Sequence, residues 1–579
     1  MRTTTQIRSL TENSIQPSSK ECLSDGTLFL TFPRAAFGTL RLTLQPQDHL
    51  RKLFIHLGEK LDSSGRIDRE PPGTIRYRCI SQSILAGESA CRLVIPPDER
   101  NTGPAAIKMP EEIGEVFPFR YVEIENADRL SIDSVNQIAV WYPFNEQASY
   151  FESSSDTLNA VWDICKYTIK ATTFCGVYID GDRERIPYEG DAFINQLGHY
   201  CVDHEYDFAR YSHEYMLQYP TWPTEWHMHS VMMAWADYLY SGDSKSLEAF
   251  YDLLRVKTLV DFAHDDGLIS TAQDLRTSEM ATRLEPHFEN SIIKRGIRDL
   301  VDWPPGSFTD GGTGERDNHE MLPINTVVNA FHAHTLHLMA CIAAAVGMTE
   351  DKHFFAHRAH LVTDRINAKL FDTKQGVYID GEGSTHASLH SNMFMLAFDL
   401  VPQKRKQSVL AFVKSRGMAC SVYGAQHLLD ALYANGEADY ALSLMTAKHD
   451  RSWWNMIQTG STMTLEAWDL RYKNNLDWNH AWGAAPANII PRHVLGVHPL
   501  EPGFRKILIA PQPATLAYAK GRVPTPRGPV DVELFNACGK TFELYVKTPK
   551  ESTAQIQIAP HYLNGRSYKI TLNGQSVAL

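Results

Sequence analysis

The sequence predicts a multidomain protein in which a toroid of paired helices lies between two β-sandwiches. The chain has 579 residues, more than one simple core holds, so two to four domains are expected. Apolar and polar residues alternate near both ends of the chain, whereas helical periodicity dominates the middle. These changes of pattern place an N-terminal sandwich at 1–150, a helical domain at 151–495 and a C-terminal sandwich at 496–579.

The first domain is predicted to be a sandwich because its short alternating runs are separated by Gly, Pro and Asp. The runs expected to form strands are 27–32, 40–44, 52–56, 75–80 and 121–124.

The helical domain is predicted to begin near residue 156, because the serines at 153–155 and Asp156 suit a helix N-cap. About a dozen helices over ~340 residues fit a toroid at ordinary helix and loop lengths. Examples of the expected helices are 158–171, 230–240, 246–262, 326–346, 354–370, 408–414, 425–434 and 440–446.

The last domain is predicted to be a smaller sandwich, because alternation is regular after residue 496. Its expected strands are 506–510, 530–535, 541–546, 554–558 and 568–572.

Composition excludes several classes of function. Formal charge is 56 − 68 = −12, which argues against binding to nucleic acid or to an anionic membrane surface. We find no run of 18 apolar residues and no apolar N-terminal segment, so neither a membrane span nor a signal peptide is expected. The nine cysteines are scattered without a CxxC pair, which favours a reducing, cytoplasmic location over disulfides or zinc. No nucleotide-binding glycine motif is present, so we predict neither a cofactor nor a metal.

The densest group of charged residues is the segment 180–191, with five carboxylates and two arginines. Gly181, Pro187 and Gly190 predict a loop, followed by a helix. Crowding of like charges is common at active sites, although it is also found in solvated loops. The segment carries acids at positions 1, 3, 5 and 12 of a calcium-loop pattern, but Arg185 stands where that pattern needs Gly.

Acid–base chemistry is a further interpretation of this loop. Glu184 lies between Arg183 and Arg185, and a carboxyl that donates a proton to a leaving oxygen is half of a glycosidase site. The second half has a candidate in Glu466, in the stretch 460–468, which is predicted to enter a helix. His480 follows in the aromatic-rich segment 477–483. The alternative interpretation of Glu466 is the charged first turn of an amphipathic helix.

The acidic loop 180–191 and the stretch around Glu466, together with 478–492 and 496–504, resemble the α-L-rhamnosidases of glycoside hydrolase family 78. The resemblance spans roughly residues 110 to 515. It implies an (α/α)6 toroid, the six-hairpin glycosidase fold, between β-sandwiches. It also implies hydrolysis of terminal α-L-rhamnosyl bonds with inversion.

The resemblance assigns roles residue by residue. Glu184 matches the general acid and Glu466 the general base. No metal ligand is implied. The expected substrate contacts are Asp180, Arg183, Tyr188, Asp191, Trp226, Trp303 and His480.

The chain departs from the common family pattern at Pro187 and Tyr188, which replace Gly and Trp, and in the lead-in to Asp180. The expected partner is an L-rhamnose-containing glycoside. Because these replacements predict a differently shaped pocket, another deoxy sugar or a uronide is kept as an alternative, as is a non-catalytic carbohydrate-binding protein. The residues leave a homodimer open and give Asp182 and Glu189 no role.

Overall fold

The structure is a computed structural model that describes residues 1–271, 284, 287, 297–306, 314–537 and 540–578. Three sets of elements follow one another along the chain: an N-terminal sheet, a long series of helices and a pair of C-terminal sheets.

The N-terminal sheet is antiparallel and is organised around the long strand Leu28–Leu44. The two predicted strands 27–32 and 40–44 are thus one strand. A register shift between Thr31 and Ala36 interrupts its pairing, because Pro33 has no N–H to donate to the ladder. The strands follow the spatial order Thr11–Ile15, Ile132–Trp141, Leu28–Leu44, Phe117–Glu125, Arg51–Gly58 and Tyr77–Ile84, with Ser19–Cys22 and Ala90–Arg92 also paired to the long strand.

The first helix confirms the predicted start of the helical region, since Ser155 accepts the N–H of Leu158 as N-cap. The predicted helix 246–262 is divided instead into Lys245–Ala249 and Tyr251–Lys257, because Phe250 between them has a non-helical φ of −116° and ψ of 17°. The second piece ends before Leu259, which adopts a left-handed φ of 59°. Within the described residues, the α-helices are Asp156–Ala171, Glu189–Val202, Asp207–Gln218, Thr224–Ser241, Lys245–Ala249, Tyr251–Lys257, Thr326–Ala345, Thr349–Lys369, Leu389–Ala397, Gln403–Arg416, Val422–Ala434, Ala438–Met445, Trp453–Gln458 and Pro486–Ile489.

Among the described residues, the helix Thr326–Ala345 alone is long and apolar enough to cross a membrane, judged by length and composition. Most of it is buried in the protein, where it packs against Thr349–Lys369 and Thr224–Ser241. Core helices of globular domains share this composition, so packing accounts for its apolar character.

Two sheets follow the helices. The three-stranded sheet consists of Val497–Pro499, Lys506–Ile509 and Thr553–Ile556. The six-stranded sheet has the order Gln575–Ser576, Ser567–Leu572, Thr541–Lys547, Val530–Ala537, Tyr518–Val523 and Tyr150–Ser153. Its last strand precedes all the helices in sequence and pairs antiparallel with Tyr518–Val523. The chain therefore enters the helical region from the C-terminal sheet, across the boundary predicted at residue 150.

A shared hydrophobic cluster joins the N-terminal sheet to the helical region. Phe37 of the long strand stacks on Phe174 with ring centroids 3.7 Å apart. Ile179 and Met463 belong to the same cluster. These two residues lie just before the acidic loop and just before Glu466, so the cluster fixes the approach of both segments.

Candidate active site

A cavity of ≈ 270 Å³ opens where the acidic loop meets the segment 466–482. All nine site residues predicted from the sequence line it. Six further residues line it as well: Trp222, Arg298, Leu300, Lys473, Asn475 and Trp482.

The acidic loop is shorter than predicted, because the helix Glu189–Val202 begins inside the segment 180–191. Asp180 closes the loop, since its N–H donates to the Ile186 carbonyl and its Oδ1 accepts the Ile186 N–H, both at 2.9 Å. Arg185 takes a left-handed φ of 54° at the turn. Glu189 and Asp191 then occupy the first helical turn, where the helix dipole favours negative charge.

Asp182 and Arg185 form ion pairs on the side of the loop that faces away from the cavity. The Asp182 carboxylate contacts Arg185 at 2.9 Å and Arg76 of the N-terminal region at 2.7 Å. Arg185 also pairs with Glu115 at 3.0 Å. Asp182, Arg76 and Arg185 are buried, so this cluster neutralises its own charge without facing the cavity. Asp182, which the sequence left without a role, has a structural one.

Glu189 also has a structural role outside the cavity lining. Its buried carboxylate accepts the N–H of Thr221 at 3.1 Å and lies 3.4 Å from the ammonium group of Lys257. The Thr221 hydroxyl donates to the same carboxylate. These contacts anchor the chain immediately before Trp222.

Glu466 lies in an irregular segment, so the prediction that its stretch enters a helix is wrong. Long-range contacts hold it in place of helical hydrogen bonds. Its N–H donates to the Asp477 carbonyl at 3.2 Å, and its carbonyl accepts the indole N–H of Trp482 at 2.9 Å. The segment thus folds back on residues that follow it by 11 and 16 positions.

The carboxylate of Glu466 is held by two cations. Arg183 donates to both of its oxygens, at 2.6 and 2.9 Å, and Lys473 lies 3.1 Å from Oε1. Burial raises the pKa of Glu466, but Arg183 and then Lys473 lower it by more, to about 2. Glu466 is therefore ionised at neutral pH. Both terminal nitrogens of Arg183, a predicted sugar contact, are engaged by Glu466 in this structure.

Glu184 has different surroundings. Its side chain is 38% exposed, whereas Asp180, Asp191 and Glu466 are buried. It accepts the Tyr188 hydroxyl at 3.2 Å, and Nε of Arg183 lies 3.5 Å from its Oε1. Tyr188, where the resembling family has Trp, therefore supplies a polar contact to Glu184 as well as an aromatic wall.

His480 lies between two carboxylates. Its Nε2 is 2.6 Å from Asp191 and its Nδ1 is 3.3 Å from Asp477. Burial lowers the pKa of His480, but Asp477 and Asp191 raise it by more, so that the pKa stands well above its ordinary value. Both ring nitrogens then carry protons, and the imidazolium neutralises part of the carboxylate charge below the cavity.

Asp180 presents a buried carboxyl group to the cavity. Burial and then the neighbouring Glu184 carboxylate raise the pKa of Asp180 well above its ordinary value. Burial also raises the pKa of Asp191, against the opposing effect of His480. A buried carboxyl that keeps its proton can donate a hydrogen bond as well as accept one.

Aromatic rings line the remaining wall. Tyr188 meets Trp226 edge-on with centroids 5.5 Å apart, and Trp303 faces the same cavity. Trp482 lies 4.9 Å from the His480 ring, and Trp222 contributes at the rim. Trp222 and Trp482 were not predicted from the sequence, although each lies within four residues of a predicted site residue.

Lys473 and Asn475 were also missed. The chain between Glu466 and His480 carries them, and only the irregular fold of this segment brings them beside the cavity. No periodicity in the sequence marks such a segment.

Glu466, Asp477 and His480 place ligand-type atoms within 4.8 Å of one another. This donor set does not favour a metal ion. Arg183 and Lys473 already neutralise Glu466, and both nitrogens of His480 face carboxylates, which keeps them protonated. A metal ion would have to displace cations that the protein itself supplies.

Comparison with known proteins gives two family matches. The bacterial alpha-L-rhamnosidase 6 hairpin glycosidase domain matches residues 146–494. The bacterial alpha-L-rhamnosidase C-terminal domain matches residues 496–567.

Individual relatives share a low sequence identity with this chain. An alpha-L-rhamnosidase from Alteromonas sp. (strain LOR) is 24% identical over 482 residues, which cover 77% of this chain and 48% of the relative. The chain spans about half the length of the curated relatives it matches.

Solved structures share the fold. The GH78 family rhamnosidase of Bacillus sp. GL1 has a TM-score of 0.72 at 19% identity and covers 97% of this chain and 56% of that one. The Streptomyces avermitilis alpha-L-rhamnosidase complexed with L-rhamnose has a TM-score of 0.70 at 16% identity and covers 94% and 50%.

Proposed function

We propose that this chain, which belongs to the family of bacterial α-L-rhamnosidases with a six-hairpin glycosidase domain, removes terminal non-reducing α-L-rhamnose from small rhamnosides or oligosaccharides by an inverting mechanism. The proposal includes the finer architecture, an (α/α)6 toroid at 151–495 between sandwiches at 1–150 and 496–579. It also includes a cytoplasmic location, which cell fractionation would test.

One observation carries the activity: Glu184 and Glu466 line the same cavity in opposite surroundings. Glu184 is partly exposed beside the Tyr188 hydroxyl, and Glu466 is buried and ionised between Arg183 and Lys473. Two carboxyl groups whose environments differ in this way are what acid and base roles at one glycosidic bond require.

In the proposed reaction, Glu184 protonates the glycosidic oxygen while Glu466 accepts a proton from a water on the opposite face of the sugar. A carboxylate with a pKa of about 2 is a weak base. A sugar hydroxyl that accepts one N–H of Arg183 would weaken the hold of Arg183 on Glu466 and so make the carboxylate more basic. Arg183 would thereby couple sugar binding to activation of the base.

The proposed sugar contacts divide by chemistry. Asp180, Asp191 and His480 lie at the buried end of the site and would bind hydroxyl groups. Trp226 and Trp303 would pack against the ring and its C6 methyl group. An apolar wall beside a methyl group discriminates a 6-deoxy sugar by a few kcal/mol at most. L-rhamnose in the complex of the Streptomyces avermitilis enzyme supports this choice of sugar.

The test is hydrolysis of p-nitrophenyl α-L-rhamnoside by the wild type and by Glu184→Gln. We expect Glu184→Gln to lose about 10²–10⁴-fold in kcat with little change in KM, because it removes proton transfer and keeps the binding contacts. Glu112→Gln, at an exposed glutamate of the N-terminal region, is the control. Near-wild-type turnover by Glu184→Gln would remove Glu184 from the acid role.

The stereochemical course tests Glu466. If Glu466 directs water to the opposite face, proton NMR of the first-formed sugar shows the inverted anomer. A retained anomer would contradict the general-base role.

The alternative substrates follow from the replacements at Pro187 and Tyr188. A panel of aryl glycosides with other deoxy sugars and uronides distinguishes them from the rhamnoside. Binding of rhamnosides without any turnover would instead support a carbohydrate-binding protein.

A further inference from the structure

Arg298 lines the same cavity as Glu184, and the proposed chemistry does not use it. Its backbone is fixed, because its N–H donates to the Trp222 carbonyl at 3.1 Å and its carbonyl accepts the Thr224 N–H at 3.0 Å. Its guanidinium group stacks over the Trp222 ring, 4.2 Å from the centroid. The side chain is exposed but held against a defined surface.

Arg298 differs from the other arginine and from the lysine of the cavity. Arg183 and Lys473 both contact Glu466. Arg298, within the part of the chain that the structure describes, has no carboxylate oxygen within 4 Å.

The acids next to Arg298 in sequence and space are engaged elsewhere. Asp299 accepts the side chains of Thr271 and Asn325, and Glu225 accepts the N–H groups of Leu300 and Val301. The guanidinium edge therefore keeps donors for a ligand.

Burial places Arg298 on the outer side of the cavity. Asp191, Glu466 and His480 are buried, whereas Glu184 and Trp222 are half-buried and Arg298 is exposed. The acid that protonates a glycosidic oxygen lies level with the bond that breaks. The rim beyond it therefore faces the part of the substrate that leaves.

We propose that Arg298, oriented by Trp222, binds the carboxylate of a uronic acid to which the rhamnose is attached; this substrate class rests on the proposed function. Stacking covers the face of the guanidinium and leaves its edge N–H groups, which match a carboxylate in a two-point hydrogen bond. Arg183, Lys473 and His480 are already paired with carboxylates of the cavity, and the chain carries a net charge of −12, so an acidic leaving sugar needs a further cation, which Arg298 supplies.

The experiment compares two disaccharides, α-L-rhamnosyl-glucuronic acid and α-L-rhamnosyl-glucose, which differ in a carboxylate against a hydroxymethyl group. For the wild type we expect kcat/KM to favour the acidic disaccharide by about tenfold, as a charged hydrogen bond provides. Arg298→Gln brings this ratio close to one, and added salt lowers it in the wild type. Arg51→Gln, which removes an equal charge from the exposed start of an N-terminal strand, keeps the wild-type ratio.

Calorimetry separates this inference from the proposed activity. Both disaccharides are titrated into Glu184→Gln and into Glu184→Gln/Arg298→Gln, where turnover is not needed. An acidic preference that Arg298→Gln abolishes supports the subsite, even if p-nitrophenyl α-L-rhamnoside is not hydrolysed and the proposed function fails. The subsite is overturned if the ratio of the affinities for the two disaccharides is the same with and without Arg298. It is also overturned if the wild type prefers the neutral disaccharide.

Discussion

At the scale of single residues, the site depends on how charges are paired. Arg183 follows Asp182 and precedes Glu184 in sequence, yet its partner is Glu466, 283 positions away. Arg185, two positions after Arg183, has a different partner, because it pairs with Asp182 on the side of the loop away from the cavity. Glu466 is therefore kept ionised by a partner that is distant in sequence, whereas Asp182 pairs with an arginine three positions away.

Lys473 tests how Glu466 is kept ionised. Lys473→Gln removes the second cation beside Glu466, so the pKa of Glu466 should rise from about 2 toward its ordinary value. We expect the acid limb of kcat/KM to move up by about one pH unit, measured with an aryl rhamnoside. Lys404→Gln, at an exposed lysine, should leave the limb in place. If the acid limb of the kcat/KM profile does not move in Lys473→Gln, a group other than Glu466 determines that limb.

His480 tests the buried charge pair. Its pKa is raised in the folded state, so its stabilising effect is complete below the unfolded pKa of about 6.5 and is lost as pH rises through the folded value. His480→Gln leaves Asp191 and Asp477 without their cation and should lower the free energy of unfolding by about 3 kcal/mol at pH 6.

The measurement for His480→Gln is denaturant unfolding at several pH values, with exposed His204→Gln as control. The difference in the free energy of unfolding between the wild type and His480→Gln should become smaller toward alkaline pH. A difference that grows there would show that the imidazolium is not the stabilising form.

At the scale of elements, the cavity wall depends on a close approach of two helices. Gly190 lies in the first turn of Glu189–Val202, and Trp226 lies in the first turn of Thr224–Ser241. A Cβ atom at residue 190 would be 2.4 Å from Cε2 of Trp226. The glycine therefore sets the position of the indole that closes the pocket.

Gly190→Ala should displace the Trp226 ring and lower kcat/KM by about tenfold or more, since small misplacements at a site are costly. Gly103→Ala is the matched control, because a Cβ at that position meets nothing within 4 Å. Steady-state kinetics of both variants provide the measurement. Equal activity of the two would show that the wall tolerates the shift.

Elements also show what the sequence can and cannot predict. Helices such as Thr326–Ala345 were predicted almost to their ends, because periodicity and caps are local signals. The strand Tyr150–Ser153 was missed, since its partner Tyr518–Val523 follows more than 360 residues later. The segment around Glu466 was predicted to enter a helix, but tertiary contacts hold it irregular. The nine site residues came from motifs, whereas their pairings needed the fold.

At the scale of the whole molecule, the N-terminal region supports both segments of the site. Glu59 follows the strand Arg51–Gly58 and accepts the side-chain amide of Asn479 at 3.1 Å. Asn479 in turn accepts the N–H of Asp182 at 2.9 Å. Burial raises the pKa of Glu59 to about 8, so a neutral carboxyl makes this link at pH 7 without adding charge beside Asp477.

The link predicts that Glu59 positions the catalytic segments from outside the helical region. Glu59→Ala should lower kcat by about tenfold with a smaller change in KM, because both segments lose a shared anchor while the sugar contacts remain. Glu59→Gln keeps an acceptor for Asn479 and should lose less, and exposed Glu70→Ala should match the wild type. Kinetics on an aryl rhamnoside are paired with denaturant unfolding of each variant. A fall in kcat that only tracks loss of folded protein would leave Glu59 a purely stabilising residue.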